Sequence, residues 1–112
     1  MFSVTSGRYF LYREPVNMHR SFDGLSGLVG GRMGQDPRCG DVFIFINRGR
    51  NLIKLLRWEP GGFVQFYKRL EKGTFELPAS TGTGLSLSID YGQLAMIVTG
   101  FSLKNAKKRE RF

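Results

Sequence analysis

Two neighbouring runs of β-branched, aromatic and aliphatic residues constrain the fold of this chain more than any other feature. They are Asp41–Asn47 and Asn51–Trp58. The segment that connects them, Asn47-Arg48-Gly49-Arg50, consists of residues that favour a tight turn. Two such runs joined by a short turn are typical of an antiparallel β-hairpin. In a chain of 112 residues, which is the size of one domain, this hairpin predicts a sheet at the centre of the fold.

Further strand signals lie on both sides of the hairpin. The turn Glu59-Pro60-Gly61-Gly62 leads into Phe63–Leu70, which extends the hairpin to a three-stranded β-meander. The aromatic run Arg8–Arg13 and the alternating segment Leu85–Ile89 predict two more strands. A short piece, Thr74–Leu77, is a weaker strand candidate that ends at Pro78.

Helical periodicity appears twice. Five apolar residues spaced like one face of a helix predict an amphipathic helix that begins at Met18 and has Asn17 as its N-cap: Met18, Phe22, Leu25, Leu28 and Val29. Asp90 is the predicted cap of a short second helix that Gly100 ends. The predicted fold is α+β, an antiparallel meander sheet with the amphipathic helix packed on one face and a short C-terminal helix. We expect one domain over residues 1–103 and a basic, disordered tail over 104–112.

The charge balance favours a polyanionic partner. Seventeen Lys and Arg against nine Asp and Glu give a formal net charge of +8, which suits DNA, RNA or an acidic membrane surface. A single cysteine, Cys39, and a single histidine, His19, exclude a disulfide-stapled scaffold and a zinc finger. No apolar run approaches the roughly 18 residues that a membrane span requires, so we expect a cytoplasmic protein without a membrane partner.

Basic residues are concentrated on the hairpin and the third strand. The candidate DNA-binding residues are Arg48, Arg50, Lys54, Arg57, Lys68, Arg69 and Lys72. Because side chains alternate along a strand, Lys54 and Arg57 are predicted on opposite faces, while the arginines at the turn project from either face. Such a tip suits phosphate contacts, and the alternative is a solvated hairpin end with no ligand.

Other constellations give weaker signals. Aromatic residues interleaved with the basic ones could stack unpaired bases, although core packing is their more common role: Tyr9, Phe10, Tyr12, Trp58, Phe63, Phe66 and Tyr67. The spacing of the carboxylates does not indicate a two-metal centre. These carboxylates are Asp23, Asp36, Asp41, Glu71, Glu76 and Asp90. The glycine-rich segments Gly30–Gly34 and Gly82–Gly84 do not match a phosphate loop. We therefore expect no catalytic residues, no metal and no cofactor.

Several ordered motifs resemble a bacterial family. They are Arg8–Pro15 with Asn17-Met18, Ser21–Val29, Gly40–Arg48, Ile53–Leu56 with Trp58, and Gly62-Phe63 with Phe66–Pro78. Together they are similar to the small accessory protein of the insertion sequence 66 family, often called TnpB or the second-reading-frame protein. The resemblance is close over residues 8–78 and looser over 85–101. The sequence departs from the family pattern at Asn17 and His19 and in the tail from Lys104.

The resemblance implies a non-catalytic protein that assists DNA transposition beside a separate, larger transposase. In one interpretation the basic hairpin binds DNA phosphates near the ends of the element. In the other, the protein is an adaptor that binds the transposase without contacting DNA, for instance through an open strand edge. DNA and the transposase are the partners we expect.

Overall fold

A mixed five-stranded sheet is the centre of the computed structural model, which describes residues 7–79, 82–99, 101–102 and 107–108. The strands of this sheet are β1 (Tyr9–Tyr12), β2 (Val42–Ile46), β3 (Leu52–Glu59), β4 (Gly62–Arg69) and β5 (Ser86–Ile89). Their order across the sheet is β4-β3-β2-β1-β5. Two helices, α1 (Phe22–Gly31) and α2 (Tyr91–Thr99), complete an α+β fold, so the predicted fold class is confirmed.

The predicted meander consists of β4, β3 and β2, which are neighbours at one edge of the sheet. Strand β2 pairs antiparallel with β3, from Val42 opposite Arg57 to Ile46 opposite Ile53. Strand β3 in turn pairs antiparallel with β4 along all eight residues of both strands. These contacts are local in sequence, and the turn residues between the strands fix their register.

The first strand joins the sheet differently from its neighbours. Strand β1 lies parallel to β2, with Tyr9 opposite Val42, and antiparallel to β5, with Tyr9 also opposite Ile89. The sheet is therefore mixed rather than wholly antiparallel. A parallel pair needs a crossover connection, and α1 lies in the segment that provides it.

Helix α1 begins four residues later than the sequence pattern suggested, at Phe22, with Ser21 as its N-cap. The Ser21 hydroxyl accepts a hydrogen bond from the backbone N–H of Gly24. Asn17 instead closes a local turn, in which its Oδ1 accepts from the N–H of His19 at 2.8 Å. Both residue types favour caps and turns, and the turn at Asn17 leaves Met18–Arg20 outside the helix.

The two helices cover opposite faces of the sheet. Leu25 and Val29 of α1 pack with Phe43 and Phe45 in one buried cluster, whereas α2 packs against the other face. The second cluster combines Leu94 and Ile97 with alternate residues of the central strands, including Val42, Ile44, Ile53 and Leu55. Strand β2 is consequently buried on both faces, which explains its uninterrupted apolar sequence.

Asp90 caps α2 as predicted. Its Oδ1 accepts from the N–H of Gln93 at 2.7 Å, and Gln93 Oε1 accepts from the N–H of Asp90 at 3.0 Å. This reciprocal pair is a capping box. Gly100, the predicted end of this helix, lies outside the described residues.

The segment after β4 folds against the sheet without forming a strand. The weak strand candidate at 74–77 has no regular secondary structure, but Phe75 within it is fully buried in the α2-side cluster. Beyond α2, the short strands β6 (Phe101–Ser102) and β7 (Lys107–Lys108) pair antiparallel. The rest of the basic tail, residues 104–106 and 109–112, lies outside the described part of the chain.

Candidate nucleic-acid interface at the hairpin end

The turn between β2 and β3 is held by the side chain of Asn47. Its Oδ1 accepts from the backbone N–H of Asn51 at 3.0 Å and of Leu52 at 2.9 Å, and its Nδ2 donates to Asn51 Oδ1. Arg50 lies in the left-handed region, with φ of 58°. These bonds fix the backbone on both sides of the Arg48-Gly49 tip, so the two arginines project from a defined turn.

The chain that follows β4 braces this turn from the side. The backbone N–H of Leu70 donates to the carbonyl of Asn51 at 2.9 Å, and that of Phe75 donates to the carbonyl of Arg50 at 2.7 Å. Residues 70–75 therefore lie beside the turn, at one end of the sheet that we call the hairpin end. Arg69 and Lys72 reach the same end by this route.

Four of the seven candidate DNA-binding residues are exposed at the hairpin end: Arg48, Arg50, Arg69 and Lys72. Among the described residues, neither Arg48 nor Arg50 has a side-chain hydrogen bond or an ion pair. Arg69 forms an exposed ion pair with Glu71 at 2.9 Å. Exposed ion pairs of this kind are worth at most about 1 kcal/mol, so the Arg69 guanidinium can exchange partners at little cost.

Lys54, another of the candidates, is buried and bonds within the protein. Its side chain is only 5% exposed, and Nζ donates to the carbonyl oxygens of Met18 at 2.6 Å and Arg20 at 3.1 Å. Nζ also lies 4.8 Å from the ring centroid of Tyr67, the residue directly opposite on β4. Burial lowers the pKa of Lys54 from its ordinary value. Lys54 therefore joins β3 to the segment before α1.

Arg57 and Lys68 also bond within the protein. Arg57, 6% exposed, donates from Nε to the carbonyl of Gly40 at 2.9 Å. Lys68 donates from Nζ to the carbonyl of Val98 at 2.8 Å, near the C-terminal end of α2, where a cation is favourable. Lys54 and Arg57 belong to opposite faces of β3, as the alternation indicated.

A cleft of about 550 Å³ opens on the α1 side of the hairpin end. One wall is the segment Pro15–His19, and the other consists of Asn47–Gly49 with Leu52 and Tyr67. Sequence reasoning named Arg48 and Tyr67 but did not place Asn17 and His19 beside them. The four residues are up to fifty positions apart, and no sequence spacing indicates their proximity.

Asp41 is the centre of a separate polar cluster at the other end of β2. Asp41 accepts from Arg8 Nη2 at 3.0 Å and from the Cys39 thiol at 3.1 Å. Burial acts to raise the pKa of Asp41, but the hydrogen bonds from Cys39 and Arg8 outweigh it and leave that pKa below its ordinary value. Burial raises the pKa of the Cys39 thiol; the Asp41 carboxylate also raises it, whereas a hydrogen bond to the Asp41 backbone acts in the opposite direction. Within the described residues, no three His, Cys, Asp or Glu side chains converge on a metal position.

The helices in the described part of the chain are too short and too polar to cross a membrane. Their lengths of ten and nine residues are half or less of what a span requires.

The sequence comparisons agree with the resemblance noted above. The family model described as "IS66 Orf2 like protein" matches residues 7–108. The uncharacterized protein y4jC of Sinorhizobium fredii is 28% identical over 102 residues, which cover 91% of this chain and 86% of that protein. The uncharacterized protein y4hO of the same organism is 28% identical over 105 residues, covering 93% and 89%. No solved structure matches the chain. Because the family model spans nearly the whole chain, the protein belongs to the IS66 Orf2-like family of insertion-sequence accessory proteins.

Proposed function

We propose that this protein assists transposition as a non-catalytic factor that binds DNA phosphates at the hairpin end of its sheet. The observation that carries this proposal is the pair of exposed arginines, Arg48 and Arg50, on a rigid turn. Neither has an acidic partner within the described residues. Arg69 and Lys72 extend the same basic surface. Phosphate binding by such groups is driven by counterion release and needs no base contacts.

The internal hydrogen bonds of Lys54, Arg57 and Lys68 reduce the number of residues that we assign to the DNA interface. A lysine or arginine that already donates to backbone carbonyls would leave those carbonyls unpaired if it turned toward a phosphate. We therefore assign a supporting role to these three, and the phosphate contacts to the four candidates that are exposed at the hairpin end: Arg48, Arg50, Arg69 and Lys72. The net positive charge favours DNA as a ligand but does not indicate which surface binds it. The fixed turn concentrates positive charge at one end of the sheet.

The test replaces the tip arginines without disturbing the turn. In the double variant Arg48→Gln/Arg50→Asn, asparagine suits the left-handed conformation at position 50. The matched control is Arg8→Gln/Arg38→Gln, which removes the same charge at the opposite end of the sheet: Arg8 pairs with Asp41, and Arg38 packs on Trp58. Fluorescence anisotropy with duplex DNA at several salt concentrations measures affinity and its salt dependence.

We expect the tip variant to bind duplex DNA about tenfold more weakly and to reduce the salt slope by about 1 to 2, because up to two phosphate contacts are lost. The control should change both quantities much less. Equal losses in the two double variants would mean that binding follows net charge, and the hairpin end would not be the interface. Absence of DNA binding even at low salt would reject the DNA-binding role.

A second candidate function is supported by the open edge of the sheet. Strand β4 is an edge strand of eight residues, and the sheet order gives it no neighbour on its outer side among the described residues. Such an edge can accept a strand from a partner, and we infer the element's transposase as that partner. Copurification of the two proteins after nuclease treatment, and its loss when Gln65→Pro removes a backbone donor from β4, would support this role. Copurification only in the presence of DNA would contradict it.

A further inference from the structure

The cleft at the hairpin end has fixed walls. Lys54 donates to the carbonyls of Met18 and Arg20, and the N–H of Val16 donates to the carbonyl of Ile46 at 3.0 Å. The other wall is the turn that Asn47 holds. A volume of about 550 Å³ between two such walls is in the size range of small-ligand sites. The cleft is therefore preformed.

Tyr67 provides an accessible aromatic surface in this cleft. It is 51% exposed, whereas Tyr9 and Tyr12 are buried in the core and Phe10, Phe63 and Phe66 pack against the buried clusters. The Lys54 ammonium lies against the ring at 4.8 Å and holds it in place from the sheet side. The half of Tyr67 that remains exposed can receive a planar group.

The polar groups around the ring suit a negatively charged ligand. Arg48 borders the cleft on one side, and Asn17 and His19 border it on the other. All three are exposed, and none of the described residues lining the cleft is acidic. A guanidinium binds phosphate oxygens, and an asparagine amide can both donate to and accept from the edge of a base.

We propose that this cleft holds one unpaired nucleotide of a DNA strand, with its base stacked on Tyr67 and its phosphate bound by Arg48. The base must be unpaired because bases inside a duplex already stack on their neighbours and do not offer a face to a side chain. This inference rests on the proposed DNA-binding function and adds to it a preference for single-stranded or frayed DNA. Arg48 belongs to both sites, which places the nucleotide beside the phosphates that the tip contacts.

The experiment measures anisotropy of the full chain with three labelled probes: a single-stranded oligodeoxythymidine of about twelve nucleotides, a blunt duplex, and the same duplex with one unpaired overhang. Tyr67→Leu removes the ring but keeps apolar bulk, whereas Tyr67→Phe keeps the ring. The matched control is Tyr91→Leu, because Tyr91 is 46% exposed and lies on α2, across the sheet from the cleft.

We expect Tyr67→Leu to weaken binding of the single strand and of the overhang duplex at least about fivefold, because a base–aromatic stack is lost. Blunt-duplex affinity should stay within about twofold, and Tyr67→Phe and Tyr91→Leu should bind like the unaltered protein. Photo-crosslinking with bromodeoxyuridine in the oligonucleotide should place the adduct at Tyr67. An unchanged single-strand affinity in Tyr67→Leu, or an equal loss for all three probes, would overturn the proposal.

The same data separate this inference from the proposed function. Duplex binding that depends on Arg48 and Arg50, together with single-strand and overhang binding that do not depend on Tyr67, would leave the DNA-binding function standing and reject the nucleotide site. A fourth probe, an oligouridine of equal length, tests the source of the nucleotide: tighter binding of this probe than of the DNA strand would reject DNA as that source. Failure of every DNA probe to bind at low salt would reject both proposals.

Discussion

The Nζ of Lys54 donates a hydrogen bond to the carbonyl oxygen of Met18, 36 residues earlier in the chain, at 2.6 Å. This contact ties the second strand of the hairpin to the segment that connects β1 with α1. Because the ammonium is buried, the pKa of Lys54 falls below its ordinary value. One wall of the cleft therefore depends on a charged group that the sequence alone would assign to the surface.

Replacement of Lys54 by methionine should destabilise the protein by about 1–3 kcal/mol, because the carbonyls of Met18 and Arg20 lose their donor. Urea unfolding measures this change. The exposed Arg69→Met is the control, with an expected change below about 0.5 kcal/mol. If Lys54→Met kept full stability and instead reduced the salt slope of DNA binding, Lys54 would be a phosphate ligand and its supporting role would be wrong.

Because of Asp41, the free energy of unfolding should depend on pH in the acidic range. Its pKa lies below the ordinary value of 3.8 in the folded protein, so the carboxylate's contribution is present above pH 3.8 and is lost as the pH falls through the folded-state value. Asp41→Asn should cost about 1 kcal/mol at neutral pH and flatten the loss of stability as the pH falls below 3.8. Chemical unfolding across that range checks both effects, with the exposed Asp23→Asn as control. If the stability of Asp41→Asn fell with pH as steeply as that of the unaltered protein, Asp41 would not be the source of this acid dependence.

Two glycines should respond to alanine in opposite directions. At Gly7, where φ is +92°, an added Cβ would lie 2.7 Å from Arg57 Nη2 and 3.2 Å from the Gly40 carbonyl. Gly27 lies within α1, and a Cβ there meets nothing within 4 Å. Gly7→Ala should therefore destabilise by at least about 1 kcal/mol, and Gly27→Ala should stabilise by about 0.5–1 kcal/mol.

Thermal unfolding of the two alanine variants, each beside the unaltered protein, measures these shifts. If Gly7→Ala were as stable as the unaltered protein, the close approach of the N-terminal segment to Arg57 would be incorrect.

The capping box should control the stability of α2. Asp90→Ala removes the acceptor for the N–H of Gln93 and should cost about 1 kcal/mol, since helix N-caps contribute about that much. Asp90→Asn should retain most of the stability that Asp90→Ala loses, because asparagine is an equally good cap. Urea unfolding and far-ultraviolet circular dichroism measure the effect. Equal losses in the alanine and asparagine variants would show that the carboxylate acts through its charge and not through the hydrogen bond.

Local sequence determined the meander and its turn. The apolar runs of β2 and β3, together with Asn47 and the Arg48-Gly49 tip, specify a hairpin because strand patterning and turn chemistry act between residues that are near in sequence. For the same reason the Asp90 cap could be predicted. The position of the Ser21 cap could not, since Asn17 and Ser21 both suit a helix start and the turn at Asn17 decided between them.

Tertiary structure alone decided which basic residues remain exposed. Lys54 follows Arg48 by six residues, and no local pattern shows that carbonyls from a distant segment bury Lys54 while Arg48 stays exposed at the tip. That segment reaches the hairpin because β1 enters the sheet parallel to β2, a pairing that depends on the α1 crossover and not on any local pattern. The sequence therefore determines the strands and the basic turn. Long-range packing determines the cleft and the four exposed cations, because the desolvation of a charge depends on every segment that packs around it.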